Sequence, residues 1–96
     1  MHLYRISQSI NNGYDTYDSA VVAAESDDAA RKISPDSYRR WSDADGCWMF
    51  LYDDGRDERA SHPCWVEDLD LIKVELIGVA SGDIKPGVVV ASFNAG

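Results

Sequence analysis

Ninety-six residues, 45% of them hydrophobic and 10% aromatic, have the size and composition of one globular domain, which excludes a disordered chain and leaves little core to hollow into a deep cleft. Seventeen Asp and Glu against nine Lys and Arg give a net charge of −8, which disfavours direct contact with nucleic acid or anionic membrane and favours cations and basic protein surfaces. The longest apolar runs, 88–91 and 48–52, are too short to cross a bilayer, and residues 1–10 lack a signal-peptide core, so a reducing cytoplasm and free thiols at Cys47 and Cys64 are expected.

Residues 3–10 alternate, with Tyr4, Ile6 and Ile10 on one side and Arg5, Ser7 and Ser9 on the other, the pattern of a strand with one wet face. Asn12-Gly13 follows as a hairpin signal, because both residues accept positive φ. Residues 19–24 are small and apolar and form a second strand covered on both sides. Ser26 is the expected N-cap of a short helix, with Asp27 and Asp28 in the first turn, where the macrodipole favours carboxylates, and Ala29, Ala30 and Ile33 as the buried stripe. Ser34-Pro35 ends that helix and starts a second short one running to Trp41.

Residues 43–46 read as a turn, 47–52 as an aromatic-rich strand stopped by Asp53-Asp54-Gly55, and 56–63 as a polar loop. Residues 71–80 are the clearest later strand, 81–87 a turn, and 88–93 a last strand that pairs back. The expected fold class is α+β: a mostly antiparallel sheet of four or five strands, with one or two short helices packed on one face, in a single domain over 1–96.

The chemical motifs are sparse. His2 and His62 are the only histidines, and neither sits in a nucleophile motif. Cys47 and Cys64 each precede a tryptophan, which suits buried small hydrophobes better than reactive thiols. Cys47, His62 and Cys64 supply at most three zinc ligands, without a Cys-x-x-Cys pair; a small metal-binding protein is one alternative reading. Asp43-Ala44-Asp45-Gly46 resembles a fragment of a calcium loop, but its fifth position is Cys47 and its twelfth is Asp54 in place of Glu. No phosphate-cradling loop occurs, and the acids crowd turns rather than a cleft. The reading is therefore of a protein with no catalytic residues and no cofactor.

Charge is unevenly placed. Asp15, Asp18, Glu25, Asp27 and Asp28 occur together without a base; Asp43, Asp45, Asp53, Asp54, Asp57 and Glu58 have only Arg56 among them; Glu67, Asp68 and Asp70 form a third group. Arg31, Lys32, Arg39 and Arg40 fall within ten residues, so acidic loops opposite a basic helical patch are expected. Tyr14 and Tyr17 stand beside acids, as interface anchors do, while Trp41, Trp48 and Trp65 are assigned to the core. Duplex DNA about 30 Å long presents about 18 phosphates. The chain's carboxylates are similar in number but cover every side, so only a clustered subset can imitate a phosphate track.

Two stretches carry a resemblance: YDTYDSAVVAAES (14–26), continuing into an Ala-Arg helix and Pro35, and WVEDLDLIKVELIGVA (65–80) with GVVVASFNAG (87–96). Over about half of the chain they resemble small acidic proteins carried by bacteriophages and prophages. The resemblance implies inhibition of host defence, of anti-CRISPR type, in the host bacterial cytoplasm; it carries over no site residue. The expected partner is a basic surface of a nucleic-acid-binding host complex, covered by DNA mimicry. The expected contacts are Asp53, Asp54, Asp57, Glu58, Glu67, Asp68 and Asp70, with Asp15 and Asp18 as a second patch. The alternative is a phage accessory or assembly protein acting by self-association or protein–protein contact. The oligomeric state stays open, with a monomer favoured.

Overall fold

A computed structural model describes residues 1–11, 13–36, 38–59 and 64–94. Strands β1 (His2–Ser7), β2 (Thr16–Ala24), β6 (Lys73–Val79) and β7 (Gly87–Asn94) form one sheet in the order β6-β1-β2-β7. Strands β3 (Arg39–Ser42), β4 (Cys47–Leu51) and β5 (Asp57–Arg59) form a second, in chain order. Every pairing is antiparallel. A five-residue helix α1 (Asp27–Arg31) and a 3-10 turn (Leu69–Leu71) complete the described secondary structure.

The architecture is thus mainly β, with two sheets and seven strands where one sheet of four or five was expected. Helix α1 starts as its sequence dictates: the Ser26 hydroxyl accepts the Ala29 N–H at 3.1 Å and Asp27 and Asp28 fill the first turn. The expected second helix is absent among the described residues. Ser34 Oγ accepts the Asp36 N–H and Asp36 Oδ1 accepts the Tyr38 N–H, local bonds that divert the backbone from helix, and Arg39–Ser42 then pairs with β4. Part of the expected polar loop is likewise a strand. The Gly55 N–H donates to Tyr52 O and the Tyr52 N–H to Arg56 O, closing a hairpin that lays Asp57–Arg59 along β4; residues 60–63 lie outside the described residues.

The last strand does not pair back on its predecessor. β7 lies against β2, three strands from β6, and residues 80–86 cross the end of the sheet to reach it. At the other end, β1 stops at Ser7 because the buried Gln8 turns the chain: its Oε1 accepts the N–H groups of Ile10 and Asn11, and its Nε2 donates to Asn11 O and Tyr17 O. Ile10, expected in the core, is 62% exposed in consequence. Of the expected Asn12-Gly13 hairpin signal, Asn12 lies outside the described residues.

One core joins the two sheets. Tyr4, Ile6, Ala20, Val22 and Ala24 from the larger sheet meet Ala30 of α1, Trp48 of β4, and Trp65, Val66 and Ile72 from the segment before β6. Trp48 ties the smaller sheet in, donating its indole N–H to Val66 O at 3.2 Å, and Trp41 packs edge-on against it at 5.3 Å from the margin. Trp48 and Trp65 are buried as expected; Trp41 is half-buried. Arg31 pins α1 to the 3-10 turn by donating to Leu69 O and Ile72 O. Among the described residues no helix is long and apolar enough to cross a membrane.

Candidate functional site

The β4–β5 hairpin carries the first acidic group. Its turn needs Gly55 at φ +89°, a conformation other residues resist, and this sharp reversal sets Asp53 and Asp54 at the tip. Asp57 and Glu58 follow on β5, an edge strand whose three residues are all exposed. These acids differ in their engagements. Asp54 holds Arg56, accepting from Nε at 2.7 Å and from the backbone N–H at 3.1 Å. Asp57 pairs with Arg40, and Glu58 accepts the Tyr52 hydroxyl, which holds that phenol's pKa above its ordinary value. Asp53 makes no ion pair among the described residues.

The second group sits on a firmly held segment. Cys64 O accepts the Tyr17 N–H at 2.8 Å, Trp65 O the Asn11 amide at 3.2 Å, and Val66 O the Trp48 indole. Glu67, Asp68 and Asp70 project from this mount, Glu67, Asp68 and Asp70 being set along a short stretch of the chain just before β6. Asp68 also accepts the Asp70 N–H as the N-cap of the 3-10 turn. The third group is split: Asp15 is exposed in the left-handed region at φ 59°, whereas the half-buried Asp18 accepts the Asn94 amide at 2.8 Å and so fastens β2 to β7.

The expected basic patch is not a free surface. Arg31 is engaged by two carbonyls, Lys32 by Asp28 and Asp43, Arg39 by Asp36, and Arg40 by Asp57. Lys32 thereby bridges the start of α1 and the β3–β4 turn, and its pKa is raised, chiefly by Asp43 and then by Asp28. Arg39 also lies over the Phe50 ring at 5.3 Å. Two of the partner acids, Asp28 and Asp36, stand three or four residues away in the sequence, whereas Asp43 and Asp57 are brought in by the fold from the β3–β4 turn and β5. Three of the bases, Lys32, Arg39 and Arg40, line an open cavity of about 430 Å³ beside the start of β7, with Asp36 among them.

The two thiols are both partly buried and stand in different surroundings. Burial pushes the Cys64 thiol above its ordinary pKa; Asp36 adds to this, Arg39 opposes it and Asp15 adds again. Cys47 Sγ lies 3.7 Å from Met49 Sδ on its own strand. Among the described residues no three His, Cys, Asp or Glu side chains are placed to hold a metal ion, and His62 lies outside the described residues.

The larger sheet also has an apolar rim, which the distribution of charge along the chain does not announce. Leu76, Ile77 and Val79 on β6, and Val88, Val89, Val90 and Phe93 on β7, are all exposed. Strands were expected over 71–80 and 88–93, and the strand order shows that both lie at edges. Compared with family models, curated proteins and solved structures, the chain matches none.

Proposed function

We propose that the protein acts by binding, as a phage-encoded inhibitor of anti-CRISPR type. It sets an acidic surface against a basic, nucleic-acid-binding surface of a defence complex in the host bacterial cytoplasm. The observation that supports this reading is the internal engagement of the bases. Arg5, Lys32, Arg39, Arg40, Arg56 and Lys73 stand in intramolecular ion pairs and Arg31 is taken up by two carbonyls, which leaves exposed carboxylates in excess of the exposed Arg59 and Lys85. A basic partner then meets a predominantly negative field, which accelerates encounter and disfavours nucleic acid itself.

Within that surface Asp53, Asp70 and Asp15 are the contacts of choice, because their carboxylates stand in no ion pair among the described residues. Asp54, Asp57 and Glu58 contribute through the same hairpin, with one internal partner each to surrender. Asp18 is the secondary contact of its patch, since it already accepts the Asn94 amide.

The experiment is displacement of target DNA from a panel of purified CRISPR effector complexes. The expected result is stoichiometric displacement from at least one complex, weakening as salt rises, with D53K/D54K/D70K at least tenfold poorer. Displacement by that triple variant as good as by the parent discards the acidic contacts; no displacement from any complex discards the reading.

A further inference from the structure

We propose that the tip of the β4–β5 hairpin is a receptor for an arginine side chain of a partner protein, closed in the free protein by Arg56. This deepens the reading of the hairpin as an acidic contact, on which it rests, by naming the chemical group that the contact recognises.

Two groups make the receptor, the Tyr52 ring and the Asp54 carboxylate. Arg56 occupies it: its Cζ lies 4.8 Å from the Tyr52 ring centroid while its Nε donates to Asp54 Oδ2 at 2.7 Å. A guanidinium does both at once, because its flat face stacks on a ring while its edge carries the N–H donors. An ammonium is a compact point charge without such an edge. The fold uses the same pairing a second time. Arg39 lies over Phe50 at 5.3 Å and pairs with Asp36 at 2.8 Å, but there the side chain is only 14% exposed and is fixed by its surroundings. The Arg56 side chain is 71% exposed and is free to swing out.

Ring and carboxylate are both held by contacts other than the Arg56 side chain. The Tyr52 hydroxyl donates to Glu58, and its ring meets Phe50 edge-on at 5.1 Å. Phe50 in turn stacks on Tyr38 at 6.4 Å, so the ring belongs to a row of three. Asp54 Oδ1 accepts the backbone N–H of Arg56 at 3.1 Å, and the turn is closed through main-chain bonds, Gly55 N–H to Tyr52 O and Tyr52 N–H to Arg56 O. When the Arg56 side chain leaves, ring, carboxylate and turn therefore keep their places. What it gives up is one exposed ion pair, a weak class of contact, together with its ring contact.

Charge complementarity favours a cationic occupant. Asp53 stands beside Asp54 at the tip in no ion pair among the described residues, Asp57 and Glu58 follow on β5, and a net charge of −8 draws cations toward the surface. The ring then selects arginine among cations.

Fluorescence anisotropy of dye-labelled hexa-arginine and hexalysine, titrated with the full chain, tests this. The peptides carry equal charge, so in the ratio of their affinities the general attraction of an acidic surface cancels. The parent is expected to favour hexa-arginine about fivefold. Tyr52→Leu is expected to reduce that preference to about twofold, whereas Tyr52→Phe, which keeps the ring and loses the bond to Glu58, retains it. Arg56→Gln opens the receptor and is expected to raise the preference to about tenfold. Should Tyr52→Leu fail to fold by circular dichroism, Asp54→Asn takes its place, with the same fall expected. A preference unchanged in Tyr52→Leu overturns the proposal, as does one lowered in Arg56→Gln, or a parent that binds the two peptides equally or binds neither. These outcomes are separate from displacement of target DNA, so arginine preference without displacement discards the defence-complex reading alone, and displacement without arginine preference discards the receptor alone.

Discussion

Cys64 and Tyr17 share a half-buried corner where β2 meets the segment before β6, and each has its pKa raised, first by burial and then by Asp36. The unfolded chain releases these protons near the ordinary values of 9.0 and 10.0, while the folded chain holds them to higher pH. Above pH 9 the native state therefore binds more protons than the unfolded state, and stability falls as pH rises. Thermal melts are expected to show Tm level from pH 7 to 8.5 and declining beyond 9, with a shallower decline in C64S. The same shift keeps the thiol protonated at neutral pH, so iodoacetamide is expected to alkylate Cys64 more slowly in the native protein than in urea. Equal rates would place the thiol in an exposed, ordinary environment.

Trp48 carries a second residue-scale prediction. It is 2% exposed, and its N–H satisfies Val66 O. Trp48→Ala removes a large core volume and orphans that carbonyl, an expected loss of about 3–5 kcal/mol in urea unfolding. Trp48→Phe is expected to recover part of it by restoring ring contacts without the hydrogen bond. A loss under 1 kcal/mol for the alanine variant would mean that the smaller sheet does not share the core. The aromatic run from Trp48 announced this burial in the sequence, because large rings between a turn at 43–46 and another at 53–55 have few other destinations.

Elements were legible where one local signal acted alone. The Ser26 cap and its acidic first turn, the aromatic β4, and the two turns around it follow from short-range chemistry that tertiary contacts leave intact. Elements decided by a partner were not legible. Arg39–Ser42 is a strand because β4 is available beside it, and Asp57–Arg59 buries no residue, so no hydrophobic alternation marks it. β7 was legible as a strand, but its partner was not: it lies at an edge beside β2 rather than against β6. The acidic candidates were legible by composition, but not which of them, such as Asp18, the fold uses internally. The β4–β5 turn is a direct test of local chemistry acting on an element. Gly55 holds φ +89°, and a Cβ there meets no neighbouring atom within 4 Å, so only backbone strain opposes a substitution. Gly55→Ala is expected to cost about 1–2 kcal/mol, and Gly55→Asn less, since Asn tolerates positive φ. Equal stabilities for Gly, Asn and Ala would show that the turn takes another form in solution.

On the scale of the whole molecule, two electrostatic effects oppose each other. The ion pairs join groups 2.7–3.5 Å apart, or closer for Arg40 and Asp57, and most are solvent-exposed, so each is worth about 0–1 kcal/mol. The net charge of −8 acts the other way, as a repulsion summed over a globule with extents of 32 × 30 × 23 Å. Salt distinguishes them by range. At ~0.1 M the screening length is about 10 Å, which removes most of the repulsion between carboxylates on different faces and leaves contact pairs largely intact. Added sodium chloride is therefore expected to raise Tm, by a few degrees between low salt and about 0.5 M, since about 1 kcal/mol corresponds to roughly 4–8 °C in a domain of this size. Replacing Asp53 and Asp70, which stand in no ion pair among the described residues, by Asn is expected to raise Tm at low salt and to diminish the response to salt. A fall in Tm with sodium chloride would reverse the ranking: the ion pairs would then outweigh the repulsion, and the acidic surface would be a product of the fold's own pairing rather than a field held available for a partner.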